Sequence, residues 1–284
     1  VVQGTGGSAG AALVAHPGVD RISFTGSTAT GRSVGAAAAA SITPVALELG
    51  GKSPLVVFAD ADLDAAAATV VQQFANAGQV CLAGTRVLVE RSVAGDLRDR
   101  VLRAAERATV GDPRQRGVRV GPLIHPRQLA RVDGYVERAL DAGARAVLGG
   151  GPDERGGLYY RPTILDGVAP GAEVVCDEVF GPVLTWQPFG DEAEAIELAN
   201  ATDYGLAAVV YTGDRSRAER VAAAVVAGTV WVNCWFVRDL EAPFGGARSS
   251  GVGREGGTWS FDFFCDVKNV AVRRGSFGEG FGDG

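Results

Sequence analysis

Apolar positions along the chain fall into two periods. From Leu63 to Phe74 they recur at helical spacing, with Leu63, Ala66, Ala67, Val70, Val71 and Phe74 on one face and Asp62 placed as an N-cap. That helix is expected to run to about Gly78. Short apolar runs at 21–25, 44–49, 55–59, 86–90, 206–211 and 229–233 read as strands. Further helices are expected from Gly26 to about residue 40, and over 93–109, 126–142, 192–200 and 216–227. Gly-Asp-Pro at 111–113, Gly-Pro at 121–122 and a Gly-rich stretch at 149–157 break the pattern. Strands alternating with helices predict an α/β architecture with a mostly parallel sheet. No internal repeat is visible, and the Gly-rich tail from Gly275 to Gly284 is expected to fray.

Composition narrows the functional classes. The 284 residues are 46% hydrophobic and 21% charged, with a net charge of -6, which fits an ordinary globular protein of one large or two smaller domains. Lys and Arg are scattered, so no nucleic-acid partner is expected. No apolar run reaches the roughly 18 residues of a membrane span, so no membrane partner is expected either. The four cysteines at 81, 176, 234 and 265 form no CxxC pair, which favours a reducing compartment, the cytoplasm, over a disulfide framework. The two histidines, His16 and His125, each precede a proline and read as loop residues. No metal site is expected, and a Cys-His hydrolase lacks its base. The chain has no methionine and starts as if at the end of a strand, which reads as an N-terminally truncated or processed chain.

Chemistry concentrates at two element ends. Cys81 follows Phe74-Ala75-Asn76-Ala77-Gly78-Gln79-Val80, and Glu48 lies in Leu47-Glu48-Leu49-Gly50-Gly51-Lys52. A thiol after a Gly-Gln turn and a carboxylate between two leucines suit a nucleophile and a partly desolvated base. Each also has a plainer reading, a buried structural cysteine and a solvated strand-end carboxylate. Gly26-Ser27-Thr28-Ala29-Thr30-Gly31 sits at a strand-to-helix junction, where helix N–H groups can receive phosphate.

These segments, with Glu178-Val179-Phe180-Gly181-Pro182 and Pro243-Phe244-Gly245-Gly246, occur in the order found in the aldehyde dehydrogenase superfamily, which the chain resembles over nearly its whole length. The resemblance implies an aldehyde dehydrogenase-like fold, with a partial Rossmann-like cofactor domain and an α/β catalytic domain. It implies three parts: 1–50 from the NAD-binding domain, 51–249 as the catalytic domain, and 250–284 as a return with an oligomerisation strand near Val267 to Val272. A homodimer or homotetramer of the full-length form is expected from it.

The resemblance also assigns roles. Cys81 would be the nucleophile and Glu48 the base that activates hydrolytic water. Cys176, Cys234 and Cys265 would be structural, and so would Lys52. Gly26, Ser27, Gly31, Leu49 and Gly50 would lie along the dinucleotide, with Gly4-Thr5-Gly6-Gly7 near its adenosine. Glu178 would accept the nicotinamide-ribose hydroxyls, and Phe180 would pack near the nicotinamide. NAD is the expected cofactor, with NADP left open. Trp235, Phe236 and Phe244 would line a substrate tunnel whose mouth holds Arg238. A surface arginine paired with Asp239 is the alternative for that last residue. The stretch around Arg238, with Gly253 to Ser260, is most similar to semialdehyde dehydrogenases of aromatic meta-cleavage pathways. A carboxylated small-molecule semialdehyde is therefore the expected substrate. A general aliphatic or betaine-type enzyme, and an inactive remnant that only oligomerises, are the rivals.

Overall fold

A computed structural model describes residues 1–274. The N-terminal segment makes a π-helical turn at Gly6–Gly10 and a short helix α1 (Ala11–Val14), then enters strand β1 (Ile22–Thr25), helix α2 (Thr28–Ala39) and strand β2 (Val45–Glu48). The next units are β3 (Pro54–Val57), α3 (Leu63–Gln72), β4 (Arg86–Glu90), α4 (Ala94–Ala105) and α5 (Pro126–Asp141). They are followed by β5 (Arg145–Leu148), β6 (Thr163–Asp166), α6 (Glu173–Cys176), β7 (Val183–Phe189), α7 (Glu192–Asn200), β8 (Ala207–Tyr211), α8 (Arg215–Ala224) and β9 (Thr229–Val232). The chain closes with β10 (Gly251–Val252) and α9 (Gly257–Phe264). No helix among the described residues is long and apolar enough to cross a membrane.

Two sheets result. The larger runs β5-β6-β7-β4-β3-β8-β9 and is parallel except at its β5 edge. Its inner strand β3 is fully buried from Leu55 to Val57, the pattern of a parallel sheet covered on both faces. Each such side chain contributes about 1.5–3 kcal/mol. Pro54 is tolerated there because it occupies the first strand position. The smaller sheet has the order β1-β2-β10. Its third strand returns from the far end of the chain and pairs antiparallel, Gly251 with Glu48 and Val252 with Leu47.

The strands and helices read from periodicity are present, within a few residues at their ends. Strands β5, β6, β7 and β10 and helices α6 and α9 were not expected. β7 is masked by Pro188, which pairs with Val89 at an exposed position near the strand end. β5 is an edge strand whose register slips between Ala146 and Leu148, so it never alternates. Helix α3 stops at Gln72 rather than near Gly78. The chain then kinks through Asn76 and Ala77 at φ 53° and 54°, and no helix continues through left-handed residues. Val267 to Val272 form no regular structure in the single chain, with Val267, Val270 and Val272 exposed. The tail from Gly275 lies outside the described residues. His125 caps α5, its ring nitrogen accepting from Arg127 N–H.

Candidate active site

Glu48 ends the middle strand of the small sheet and is held from both sides. Its carbonyl accepts from Gly26 N–H at 3.0 Å, and Leu49 N–H donates to Ser250 at 2.9 Å. The side chain is only 7% exposed. Gly245 gives room on this side: a Cβ there would fall 2.6 Å from the Gly253 carbonyl oxygen and 2.9 Å from a Glu48 carboxylate oxygen. Burial pushes the Glu48 carboxyl up to about 7; the Glu255 charge adds to this, while Arg254 and Arg238 pull the other way. A carboxyl with that ionisation is suited to general-base work near neutral pH.

Cys81 lies in a turn closed by Ala83 N–H donating to the Val80 carbonyl at 3.0 Å. The loop before it is tied twice. Gln79 and Asn76 exchange side-chain bonds to each other's carbonyls at 3.0 Å, and the Gln79 carboxamide oxygen accepts from Ile124 N–H at 2.9 Å. Gly78, at φ +67°, lets this loop touch the Phe180-Gly181-Pro182 turn; a Cβ there would meet the Gly181 carbonyl at 2.1 Å. Burial raises the Cys81 thiol, and the Glu178 and Glu48 charges add to it. Backbone N–H groups of Cys81 and Leu82 work against this by hydrogen bonding to the sulfur. Donors so placed also suit an oxyanion formed at that position.

Glu178, whose charge reaches Cys81, lines an open cleft of about 490 Å³ together with Ser27, Thr28, Arg131, Cys176 and Tyr204 among others. Gly51 N–H donates to a Glu178 carboxylate oxygen at 3.2 Å. The other oxygen lies 2.3 Å from where a Gly50 Cβ would be, so the glycine turn is the seat of this carboxylate. Helix α5 fixes the segment through Arg131, which donates to the Glu178 carbonyl at 2.7 Å, and Gln128, which donates to those of Val179 and Phe180. At the opposite end Ser27 caps α2, accepting from Thr30 N–H. The first turn of α2, with Ser27, Thr28 and Ala29, lines the cleft. A phosphate-receiving helix end, a carboxylate with two acceptor oxygens and a volume of this size fit a dinucleotide.

The expected cofactor residues are not all on the cleft wall. Ser27 and Glu178 are. Gly31 is buried instead, and its missing side chain lets α2 rest on Leu49, whose Cδ2 would be 2.4 Å from a Cβ. Gly26 abuts the Phe24 ring, and Phe180 sits at φ 56° behind the wall. Cys176, expected to be structural, lines the cleft. Sequence reading missed Tyr204, whose hydroxyl bonds the Thr28 side chain and the Glu178 backbone. It also missed Arg254 and Glu255 as electrostatic neighbours of Glu48. A tyrosine in a polar turn and an Arg-Glu pair after a glycine carry no signal by themselves.

Trp235 and Phe244, like Cys81, pack against the margin of the large apolar core. Trp235 and Phe236 stack at 5.3 Å, with Phe236 half exposed. Arg238 lies over the Phe244 ring, 4.9 Å from its centroid. It does not pair with Asp239, whose carboxylate accepts from Glu241 N–H.

The sequence profile of the aldehyde dehydrogenase family matches residues 1–270. The chain belongs to that family. It is 47% identical over 280 residues to the 2-hydroxymuconic semialdehyde dehydrogenase of Pseudomonas sp. (strain CF600), covering 96% of this chain and 58% of that protein. A betaine aldehyde dehydrogenase of Cereibacter sphaeroides (strain KD131 / KCTC 12085) is 46% identical over 276 residues, covering 97% and 57%. Among solved structures, an NAD-dependent aldehyde dehydrogenase from Sinorhizobium meliloti superimposes with a TM-score of 0.96 at 39% identity, covering 99% of this chain and 56% of that one. The chain thus spans a little over half the length of these aldehyde dehydrogenases.

Proposed function

We propose that this chain carries the catalytic centre of an NAD-dependent aldehyde dehydrogenase acting on a carboxylated semialdehyde. The observation that carries the reading is the convergence of Cys81, Glu48 and Glu178, from three separate elements, on the glycine turn at 50–51. The Cys81 thiolate attacks the aldehyde carbon and forms a C–S bond, with backbone N–H groups of the Cys81 turn donating to the oxygen that becomes negative. A nicotinamide held in the cleft would supply the hydride acceptor needed for thioester formation. Glu48 then takes a proton from water as the water oxygen attacks the thioester. The C–S bond breaks, the acid leaves and the thiolate is restored. Ser27 would meet the pyrophosphate and Glu178 the nicotinamide ribose of the dinucleotide; NADP is the alternative acceptor.

Substrate class rests on Arg238. Its guanidinium, stacked on Phe244 and close enough to bias Glu48, presents a planar donor set to a carboxylate beside Trp235 and Phe236. A relative named for 2-hydroxymuconic semialdehyde supports this reading. The relative named for betaine aldehyde supports the alternative, a cationic substrate, which a guanidinium at the mouth opposes. We place the enzyme in the cytoplasm. We assign residues 1–50 to its cofactor domain, 51–249 to its catalytic domain and 250–284 to an oligomerising return. The test follows the absorbance of reduced nicotinamide with a carboxylated semialdehyde, a neutral aldehyde of equal length and betaine aldehyde. The first should give the highest kcat/KM. A preference for betaine aldehyde would overturn the substrate assignment, and no turnover with any of them would leave the inactive remnant.

A further inference from the structure

Arg86 opens the middle strand β4 of the large sheet and is 1% exposed, in a run that continues with the buried Val87, Leu88 and Val89. A guanidinium is almost never buried this deeply without partners, so where its N–H groups go is informative. Nε donates to the Lys52 carbonyl at 2.9 Å, Nη1 to the Leu198 carbonyl at 2.6 Å and Nη2 to the Ala199 carbonyl at 2.7 Å. Its backbone N–H donates to the Ser53 carbonyl at 3.3 Å. All three side-chain acceptors are main-chain carbonyls, and none is a carboxylate. Leu198 and Ala199 belong to the last turn of α7, where carbonyls lack intrahelical partners and carry the negative end of the helix dipole. That turn has no basic residue of its own, so Arg86 supplies its cation. Burial lowers the guanidinium only to about 10, so it stays charged at neutral pH.

We propose that Arg86 is a positioning residue: it clamps the Gly50-Gly51-Lys52 turn to the end of α7 and so fixes the surface against which the Cys81 turn and Glu178 are set. The path from the guanidinium to the site is short. Lys52, whose carbonyl it holds, directly follows Gly51. Gly51 N–H donates to a Glu178 carboxylate oxygen at 3.2 Å, and a Cβ on Gly51 would fall 2.3 Å from the Cys81 carbonyl oxygen. Arg86 also ends the loop that carries Cys81. That loop is closed by Ala83 N–H on the Val80 carbonyl at 3.0 Å and Thr85 N–H on the Ala83 carbonyl at 2.8 Å. One residue thus ties together the outgoing end of the thiol's loop, the glycine turn packed on it and a helix terminus. The task needs a fork, since Nε serves one element while Nη1 and Nη2 serve another. An ammonium offers a single nitrogen and cannot reproduce it.

The proposal rests on Cys81 being the nucleophile of the proposed reaction, and its test has one arm that needs no turnover. In the full-length enzyme that carries this chain, Arg86→Lys should speed amide hydrogen exchange in peptides covering 50–53 and 81–85, while β8 keeps its protection. In single turnovers with aldehyde and NAD at pH 7, hydride transfer should slow about 10- to 100-fold, because a small displacement of a nucleophile is expensive. The aldehyde concentration at half-maximal rate should change little. Arg86→Gln gives the same comparison without a buried charge. Since Arg86 acts through the glycine turn, the losses in Arg86→Lys and Gly51→Ala should not multiply in the double variant. Asn200→Ala serves as the structural comparison, since it unties the same helix end from the Ala224 carbonyl and Val226 N–H without touching residues 50–53. It should lower the thermal midpoint and leave both exchange at 50–53 and hydride transfer as in the parent. Unchanged exchange at 50–53 in the Arg86 variants, losses that multiply with that of Gly51→Ala, or an equal loss of hydride transfer in Asn200→Ala overturns the proposal. A parent enzyme that transfers no hydride from any aldehyde would overturn the proposed function instead, and exchange at 50–53 would still decide whether Arg86 holds the turn.

Discussion

Gly51 lies against the backbone of Cys81: a Cβ on this glycine would fall 2.3 Å from the Cys81 carbonyl oxygen. Its neighbour Gly50 has the same gap, but to the tip of a side chain, the Glu178 carboxylate. The two obstacles differ in how readily they give way. A carboxylate at the end of a flexible side chain can rotate, whereas a carbonyl in a tied turn moves only with the nucleophile's loop. Consecutive glycines in one turn thus face different groups, Gly51 the Cys81 turn and Gly50 the Glu178 carboxylate, which in the proposed function serve the thiol and the cofactor respectively.

Gly51→Ala should therefore cost kcat, by about tenfold or more, because sub-ångström displacement of a nucleophile is expensive. Gly50→Ala should chiefly raise KM for the dinucleotide, since it pushes on Glu178. Steady-state kinetics on both variants checks this. A pure KM effect in Gly51→Ala would mean that the Cys81 turn absorbs the methyl group.

Glu48 gives a pH prediction with a definite sign. Its carboxyl is raised from 4.5 to about 7 in the folded protein. Between those values the native state keeps a proton that the unfolded chain has released, so stability falls as pH rises through this window. The full effect is about 3 kcal/mol above pH 7. Glu48→Gln should remove that dependence and be more stable than the parent at pH 8, as thermal melts at pH 5 and pH 8 would show. Thioester hydrolysis should rise with pH toward a plateau above about 7 and lose that rise in Glu48→Gln, with a rate loss of about 10²–10⁴-fold. Cys81→Ala should give no adduct at all. Single-turnover kinetics separates the two variants; a normal rate for Cys81→Ala would remove the nucleophile from the scheme.

Much of this site is legible from local pattern, and the remainder depends on pairing across the chain. The face of α3 and the runs of β3 and β8 follow from spacing, because their environments are the buried ones that periodicity encodes. Cys81 and Glu48 stand out because each occupies an element end beside glycine. Arg254 and Glu255 reach Glu48 only because β10 returns to pair with β2, a contact between residues about two hundred positions apart. The left-handed pair Asn76 and Ala77 is likewise unreadable. Alanine gives no hint of positive φ, and the conformation is held by Gln79 and Ile124. Gly31 carries a second reason to be glycine that its strand-to-helix motif does not reveal: it admits Leu49 against α2.

Ser27→Ala should act at two levels. It removes the cap that accepts Thr30 N–H, which costs about 1 kcal/mol. It also removes a hydroxyl from the phosphate end of the cleft. Dinucleotide affinity should fall more than thermal stability does, and Ser27→Asp should restore the cap without restoring affinity, since a carboxylate would repel phosphate. Calorimetric titration with NAD beside a thermal melt checks both; full affinity in Ser27→Asp would place the phosphate elsewhere.

In the proposed reading Arg238 selects the substrate. Stacked on Phe244, its guanidinium is pre-oriented and needs little ordering to grip a carboxylate. A hydrogen bond to a charged group contributes about 1.5–3 kcal/mol, so Arg238→Ala should lower kcat/KM for a carboxylated semialdehyde by about 10- to 150-fold. A neutral aldehyde of equal length should change little, because it makes no use of the charge. Arg238→Lys should recover only part of the loss, since an ammonium keeps the charge but not the planar fork. Removing this cation also removes one of the charges that hold Glu48 down, so the inflection in thioester hydrolysis should shift above its parent value of about 7 with either substrate. Comparing both substrates at one ionic strength separates the two effects, since long-range attraction is screened by salt. An equal loss on both substrates, with the Glu48 inflection unmoved, would reduce Arg238 to a support for the Phe244 ring.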